Sequence, residues 1–272
     1  MKVLVVSPEA VPFAKTGGLA DVAGVLPAII KAQGIDTALI LPLYRMVNRE
    51  KFRLRKSLQT IDIPISDRIE SASVWEGTTW NNVPVYFIEK EKYYNRDYLY
   101  STPQSDYPDN AERFVFFSKA VLEVCKATKF RPDVIHCNDW QSALVPLYMK
   151  TLYRDDPFFK ETSSVITIHN LGYQGIFWHY DMHLLGIGWE YFTPEGIEFY
   201  GKINFLKAGL IFSEVITTVS ETYSKEIQTD EYGFGLDGVL RKRSRDLYGV
   251  INGIDYNEWN PSIDSNIKEP YG

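Results

Sequence analysis

A chain of 272 residues, 45% hydrophobic and 24% charged, can bury one large core or two modest ones, as ordinary soluble globular proteins do. Its 35 acidic against 29 basic side chains leave a net charge of −6, which argues against a nucleic-acid surface of clustered Lys and Arg. Two cysteines outside any CxxC pair exclude a disulfide framework, and Pro8 breaks the first apolar run too soon for a signal peptide or membrane span.

Val3 to Ser7 predicts a first buried strand, and Leu19 to Gln33 a first helix closed by Gly34 at a C-cap position. Thr37 to Leu41 predicts a second strand, stopped by Pro42. From Leu58 to Ile88 the pattern changes. Ile61, Ile63 and Ile65 alternate, Ser71 to Trp75 follow, and Val83 to Ile88 comes after the turn-like Asn81-Asn82. That pattern predicts an antiparallel hairpin or meander, inserted into the sheet or at its edge. Asp109 to Lys126 returns to helical spacing.

Strand Val134 to Cys137 then precedes helix Trp140 to Tyr153, and strand Val165 to Ile168 precedes a Gly- and aromatic-rich segment to Trp189. Helix Lys202 to Phe212 leads to strand Val215 to Val219 and helix Glu221 to Gln228. A short helix near Leu236 to Arg241, strand Leu247 to Ile251 and an Asn252-Gly253 turn end the pattern. Cys125 in its helix and Cys137 at its strand end read as reduced core residues, which fits a cytoplasmic protein. Arg241-Lys242-Arg243 with Arg245 either favours the negative end of a helix or solvates a surface. The alternation predicts a Rossmann-like, doubly wound α/β domain with a mostly parallel sheet and an antiparallel hairpin embellishment.

In an open α/β sheet, ligands bind outside the carboxyl ends of the strands. After the first strand comes Lys15-Thr16-Gly17-Gly18-Leu19-Ala20-Asp21. Two glycines at a helix start let backbone N–H groups approach an anion, and Lys15 adds a mobile ammonium matched to a diphosphate. This is neither GxGxxG nor a Walker loop, which disfavours an NAD-dependent enzyme; a plain Gly-rich turn is the simpler alternative. Asp21 in the first helical turn also suits the helix dipole. After the third parallel strand come Asp139, placed to cap a helix, and Trp140, placed to pack or to offer a ring to sugar. His169 ends the next strand, ahead of a glycine-containing segment. His179 and His183 stand four apart, but no carboxylate or Cys cluster completes a metal site. Ser220 predicts an N-cap.

Lys15-Thr16-Gly17-Gly18-Leu19-Ala20-Asp21-Val22 resembles the signature near the amino terminus of bacterial glycogen synthases and plant starch synthases. Three further segments agree, in the family's order: His136 to Gln141, Ile168 to Gly175, and Gly249 to Asp255 with Trp259-Asn260-Pro261. The resemblance runs from residue 1 to about 265 and implies the first of two Rossmann-like domains facing a cleft, the GT-B architecture. It places that domain at 1–255 and the start of an interdomain segment at 256–272, with the carboxyl-terminal nucleotide-binding domain absent.

The resemblance implies a retaining transfer of glucose from ADP-glucose or UDP-glucose to the non-reducing end of an α-1,4-glucan, without metal or other cofactor. It assigns Lys15, Gly17, Gly18, His169 and Asn252 to the donor, and His169 and Asp139 to the reacting sugar. Asp21, Tyr94, Asp139 and Trp140 fall near the transferred glucose or acceptor; the family residue after Tyr94 is Asp, and here it is Asn95. Partners are then the glucan, the sugar nucleotide and the missing domain, with no nucleic acid and no membrane. The isolated chain is expected to be inactive, to bind donor weakly, to keep acceptor binding better, and to self-associate through uncovered apolar surface. A stand-alone glucan-binding or regulatory module on the same fold is the alternative.

Overall fold

β1 (Lys2–Val6) is buried at all but its first residue, the mark of a strand covered on both faces. The computed structural model describes residues 1–79, 81–253 and 259–272; Ile254 and Asp255 of the last motif, and the predicted boundary between 255 and 256, lie outside the described residues. After a loop, α1 (Gly18–Ala32) buries Leu19, Ala20, Ala23, Gly24, Pro27 and Ala28 along one face. Gly34, at φ +80°, lies just beyond its end as expected. Gly24 lets the loop lie directly on the helix, since a Cβ there would come within 2.4 Å of Val11. β2 (Asp36–Pro42) pairs parallel with β1 and includes Pro42 as its last residue.

The predicted meander is β3 (Arg55–Ile65), β4 (Arg68–Thr78) and β5 (Pro84–Glu89). Ile61, Ile63 and Ile65 all face inward. A single helical turn, α2 (Glu91–Tyr94), which the sequence did not suggest, leads toward α3 (Asn110–Thr128). α3 is buried along most of its length, including Arg113. That guanidinium is satisfied by Tyr93 O (2.9 Å), Leu99 O (2.8 Å) and Asn110 Oδ1 (2.7 Å).

β6 (Val134–Asn138) is followed by turns, and α4 (Leu144–Lys150) begins only at Leu144. The predicted start at Trp140 is corrected by local bonding. Ser142 Oγ takes the Asn138 N–H at 2.7 Å and donates to Asn138 O at 2.8 Å, while Asp139 adopts φ +54°. β7 (Ser163–Ile168) follows. The aromatic segment holds β8 (Ile176–Trp178), a 3₁₀ turn, and the single-turn α5 (Met182–Leu185). With β9 (Glu198–Phe199) and β10 (Lys202–Asn204), β8 forms a small antiparallel sheet in the order β8-β10-β9. The helix predicted from Lys202 therefore starts later, as α6 (Phe205–Phe212), where the Asn204 side chain accepts from Lys207 N.

β11 (Val215–Thr218), α7 (Glu221–Glu226), α8 (Asp237–Lys242) and β12 (Leu247–Gly249) complete the fold, and Ser220 caps α7 as predicted. Arg243 from the basic cluster serves a helix end, though that of α6. It donates to the carbonyls of Leu210, Ile211, Ser213 and Glu214. Cys125 and Cys137 are buried free thiols. Among the described residues no helix is long and apolar enough to cross a membrane.

The large sheet has the order β12-β11-β7-β6-β1-β2-β5-β4-β3, parallel from β12 to β5 and antiparallel through β4 and β3. From β1 the chain winds outward one way through β2 and the other way through β6. The crevice between the carboxyl ends of β1 and β6 is thus the topological switch point, where such sheets hold ligands.

Candidate active site

Two walls meet at that crevice. The first is the loop after β1. Glu9 is 4% exposed, and its carboxylate accepts both the Thr16 N–H and, at 2.8 Å, the Thr16 hydroxyl. Burial raises its pKa against the pull of those bonds. Glu9 therefore anchors the loop from within and sets where Lys15, Gly17 and Gly18 stand. Sequence reasoning missed it; a carboxylate three residues past a buried strand end is the signal that was there to use.

Lys15 Nζ lies 2.6 Å from Asp21 Oδ1, in a pair left 42% and 32% exposed. Gly17 is the N-cap of α1 in extended geometry (φ −151°), and no side chain caps the helix there. A Cβ on Gly17 or Gly18 would meet nothing within 4 Å. Neither backbone geometry nor internal packing therefore demands glycine at either position. The space above them is open, beside an ammonium and at the positive end of a fifteen-residue helix.

The second wall is built from the ends of β6 and β7. Asp139, expected as a helix cap, instead reaches across the sheet and accepts the His169 N–H at Oδ1, 2.7 Å away. Burial pushes its pKa up to about 7, against the backbone bonds from His169 and Asn170, with the Glu9 charge acting in the same direction as burial. His169 Nε2 lies 2.9 Å from Asn138 Oδ1. Burial, then the neighbouring His136, lowers the His169 pKa to about 4, so the ring is neutral at pH 7.

Three expected residues do not join these walls. Tyr94 is fully buried, with its hydroxyl donating to Arg113 O at 3.2 Å and its ring against Tyr44 and Tyr93. It has no surface to offer a sugar, because α2 turns it into the core. Tyr100, which the sequence reading passed over, is a tyrosine near the carboxylates, as Tyr44 is near Glu9. The buried Tyr100 hydroxyl feels the charges of Glu9 and Asp139. Trp140 is 8% exposed, packed on Phe114, Phe177 and Phe205. Gly175, at φ +62°, lies so close that a Cβ would come within 2.4 Å of the indole. Packing, not sugar contact, accounts for that ring. Asn252 is exposed beyond β12, two strands from β7 and four from β1, or about 10 and 19 Å at the usual strand spacing.

His183 Nδ1 pairs with Tyr180 O at 2.6 Å, and no cluster among the described residues is suited to a metal ion. A cavity of about 620 Å³ lies elsewhere, between α6, α8 and the β9–β10 hairpin, and none of the expected site residues lines it.

Residues 2–242 match the family described as the starch synthase catalytic domain. The glycogen synthase of Geotalea daltonii is 47% identical over 271 residues, covering all of this chain and 56% of that protein. That of Thermodesulfovibrio yellowstonii is 50% identical over 289 residues, again covering the whole chain and 57% of the relative. Among solved structures, the catalytic domain of Starch Synthase IV from Arabidopsis thaliana, bound to ADP and acarbose, superposes with a TM-score of 0.89 at 30% identity. That match covers 99% of this chain and 55% of the other. The chain spans just over half the length of these relatives.

Proposed function

The chain belongs to the starch and glycogen synthase catalytic-domain family, and on that premise we propose that it is the acceptor-side half of a retaining glucosyltransferase. The reaction moves glucose from ADP-glucose, or UDP-glucose, to the non-reducing 4-hydroxyl of an α-1,4-glucan, with no metal or other cofactor. The observation that carries this reading is the unfilled space over Gly17 and Gly18, at a helix start beside Lys15 and across the crevice from Asp139 and His169. The binding of ADP and acarbose by the Arabidopsis relative points the same way.

In this reading, charge grows on the departing diphosphate as the sugar becomes oxocarbenium-like. The Lys15 ammonium and the N–H groups at the start of α1 meet that charge, while Asp139 and His169 hold the glucose. The leaving phosphate takes the acceptor proton, so no separate base is required from these residues. A second domain supplies the rest of the nucleotide pocket, which makes this chain alone inactive and its donor affinity weak.

Calorimetric titration of the chain with a maltooligosaccharide and, separately, ADP-glucose tests the proposal, repeated with His169→Ala and Lys15→Ala. Glucan binding, with faint donor binding that His169→Ala and Lys15→Ala each remove, is the expected result. Tight donor binding or transfer by the chain alone would overturn the half-site assignment. Glucan binding with no donor binding that either substitution changes would favour a glucan-binding module instead.

A further inference from the structure

The end of β6 holds His169 at two points. Asp139 takes its backbone N–H, and Asn138 takes its ring. Asn138 is 1% exposed, so every polar atom of its amide must be answered within the protein. Its Nδ2 donates to Val6 O at 3.0 Å and lies 3.4 Å from His136 O. Both neighbours are carbonyl oxygens, which can only accept, so the amide has one consistent orientation. Oδ1 then faces His169 Nε2 at 2.9 Å. That oxygen also only accepts, so the hydrogen between them sits on Nε2.

A neutral imidazole carries one ring proton, which leaves Nδ1 as a lone pair. Among the described residues Nδ1 makes no hydrogen bond, and the ring is half-buried at the crevice. We propose that Asn138 is a positioning residue that locks His169 in its Nε2–H tautomer, so that the ring meets a ligand as a hydrogen-bond acceptor at Nδ1 and not as a proton donor. Burial and His136 keep the ring neutral, as the lock requires. A ligand hydroxyl, able to donate to Nδ1, is the group that fits. Only the identity of that hydroxyl, as one belonging to the transferred glucose, rests on the glucosyltransferase reading. With the proton committed to Asn138, His169 does not protonate the departing phosphate.

The test is long-range ¹H–¹⁵N correlation on the 272-residue chain carrying ¹⁵N-histidine, with His169 distinguished from the other three histidines by His169→Gln. At pH 7 a single Nε2–H pattern is expected for His169. Asn138→Leu should lose that single form and show an Nδ1–H fraction. An Nδ1–H or mixed pattern in the unsubstituted chain overturns the proposal, and so does a variant whose pattern is unchanged. Where Asn138→Leu fails to fold, Asn138→Ala, which removes the amide with less bulk, decides in its place. No sugar enters these measurements. A chain that shows the lock but binds neither maltooligosaccharide nor ADP-glucose keeps the tautomer assignment and loses the glucosyltransferase one.

Discussion

The two walls of the crevice are made differently. The wall after β1 carries its chemistry in the open: an exposed Lys15–Asp21 pair, two glycines over empty space, and an uncapped helix start. The wall from β6 and β7 is more buried and tightly bonded, with Asn138, Asp139 and His169 fixed to one another and to the backbone. A partly exposed cation and the N–H groups of a helix start suit capture of an anion that brings its own charge. A locked carboxylate and imidazole suit a neutral group whose placement matters more than its attraction. On this view the first wall carries little of the stability of the fold, and the second carries much of it.

The largest expected effect falls behind the second wall, on the aromatic packing next to Asp139. Trp140→Ala should destabilise the chain by about 3–5 kcal/mol in a urea melt, since it empties the space between Phe114, Phe177 and Phe205. A small stability loss with a large loss of glucan binding would return the ring to the sugar site and break the comparison.

Asp139 comes next, through pH. Its folded pKa of about 7 lies above its ordinary 3.8, so the folded state binds more protons between those values. Its contribution is complete below about pH 4 and is lost as pH rises through 7, a difference of up to about 4 kcal/mol. His136 and His169 work oppositely. Each is held near 4, and their stabilisation is present above about 6.5 and lost as pH falls. The unsubstituted curve mixes these slopes. The difference between it and Asp139→Asn isolates the carboxyl, and that difference should grow in the variant's favour from pH 4 to 7. A flat difference would mean that Asp139 is not desolvated.

How much of this was legible in the sequence follows the same division. The parallel strands were readable because strands buried on both faces are unbroken apolar runs, as Val3 to Val6 and Ala38 to Leu41 are. The open wall was readable too, since Lys15 and its glycines act through local backbone geometry and adjacent charge. The small sheet was not, because β8 and β10 are three-residue strands that pair across more than twenty intervening residues. Nor were Asn138 or Tyr100 as site residues. Their roles come from partners such as Val6 and Asp139 that only the sheet brings near, and α2 turns Tyr94 into the core.

On the open wall the effects on folding shrink, and their separation from binding becomes the test. Gly18→Ala should leave the chain slightly more stable, by about 0.5 kcal/mol, because a helical alanine loses less backbone entropy than glycine and its methyl group meets no neighbour. The same methyl occupies the space proposed for the donor phosphate, so ADP-glucose binding should fall as thermal stability rises. If binding is unchanged, the glycine pair is an ordinary turn.

The smallest effect on folding belongs to Lys15→Ala. Its pair with Asp21 is exposed to water and salt, which limits its contribution to about 0.5 kcal/mol or less. Its removal also leaves Asp21 in the first turn of α1, where a negative charge is favourable. Denaturation midpoints of the two proteins should thus nearly coincide, while donor binding weakens and loses much of its dependence on ionic strength. A large destabilisation would instead make Lys15 part of the frame that Glu9 and Thr16 hold, and the open wall would then be as structural as the buried one.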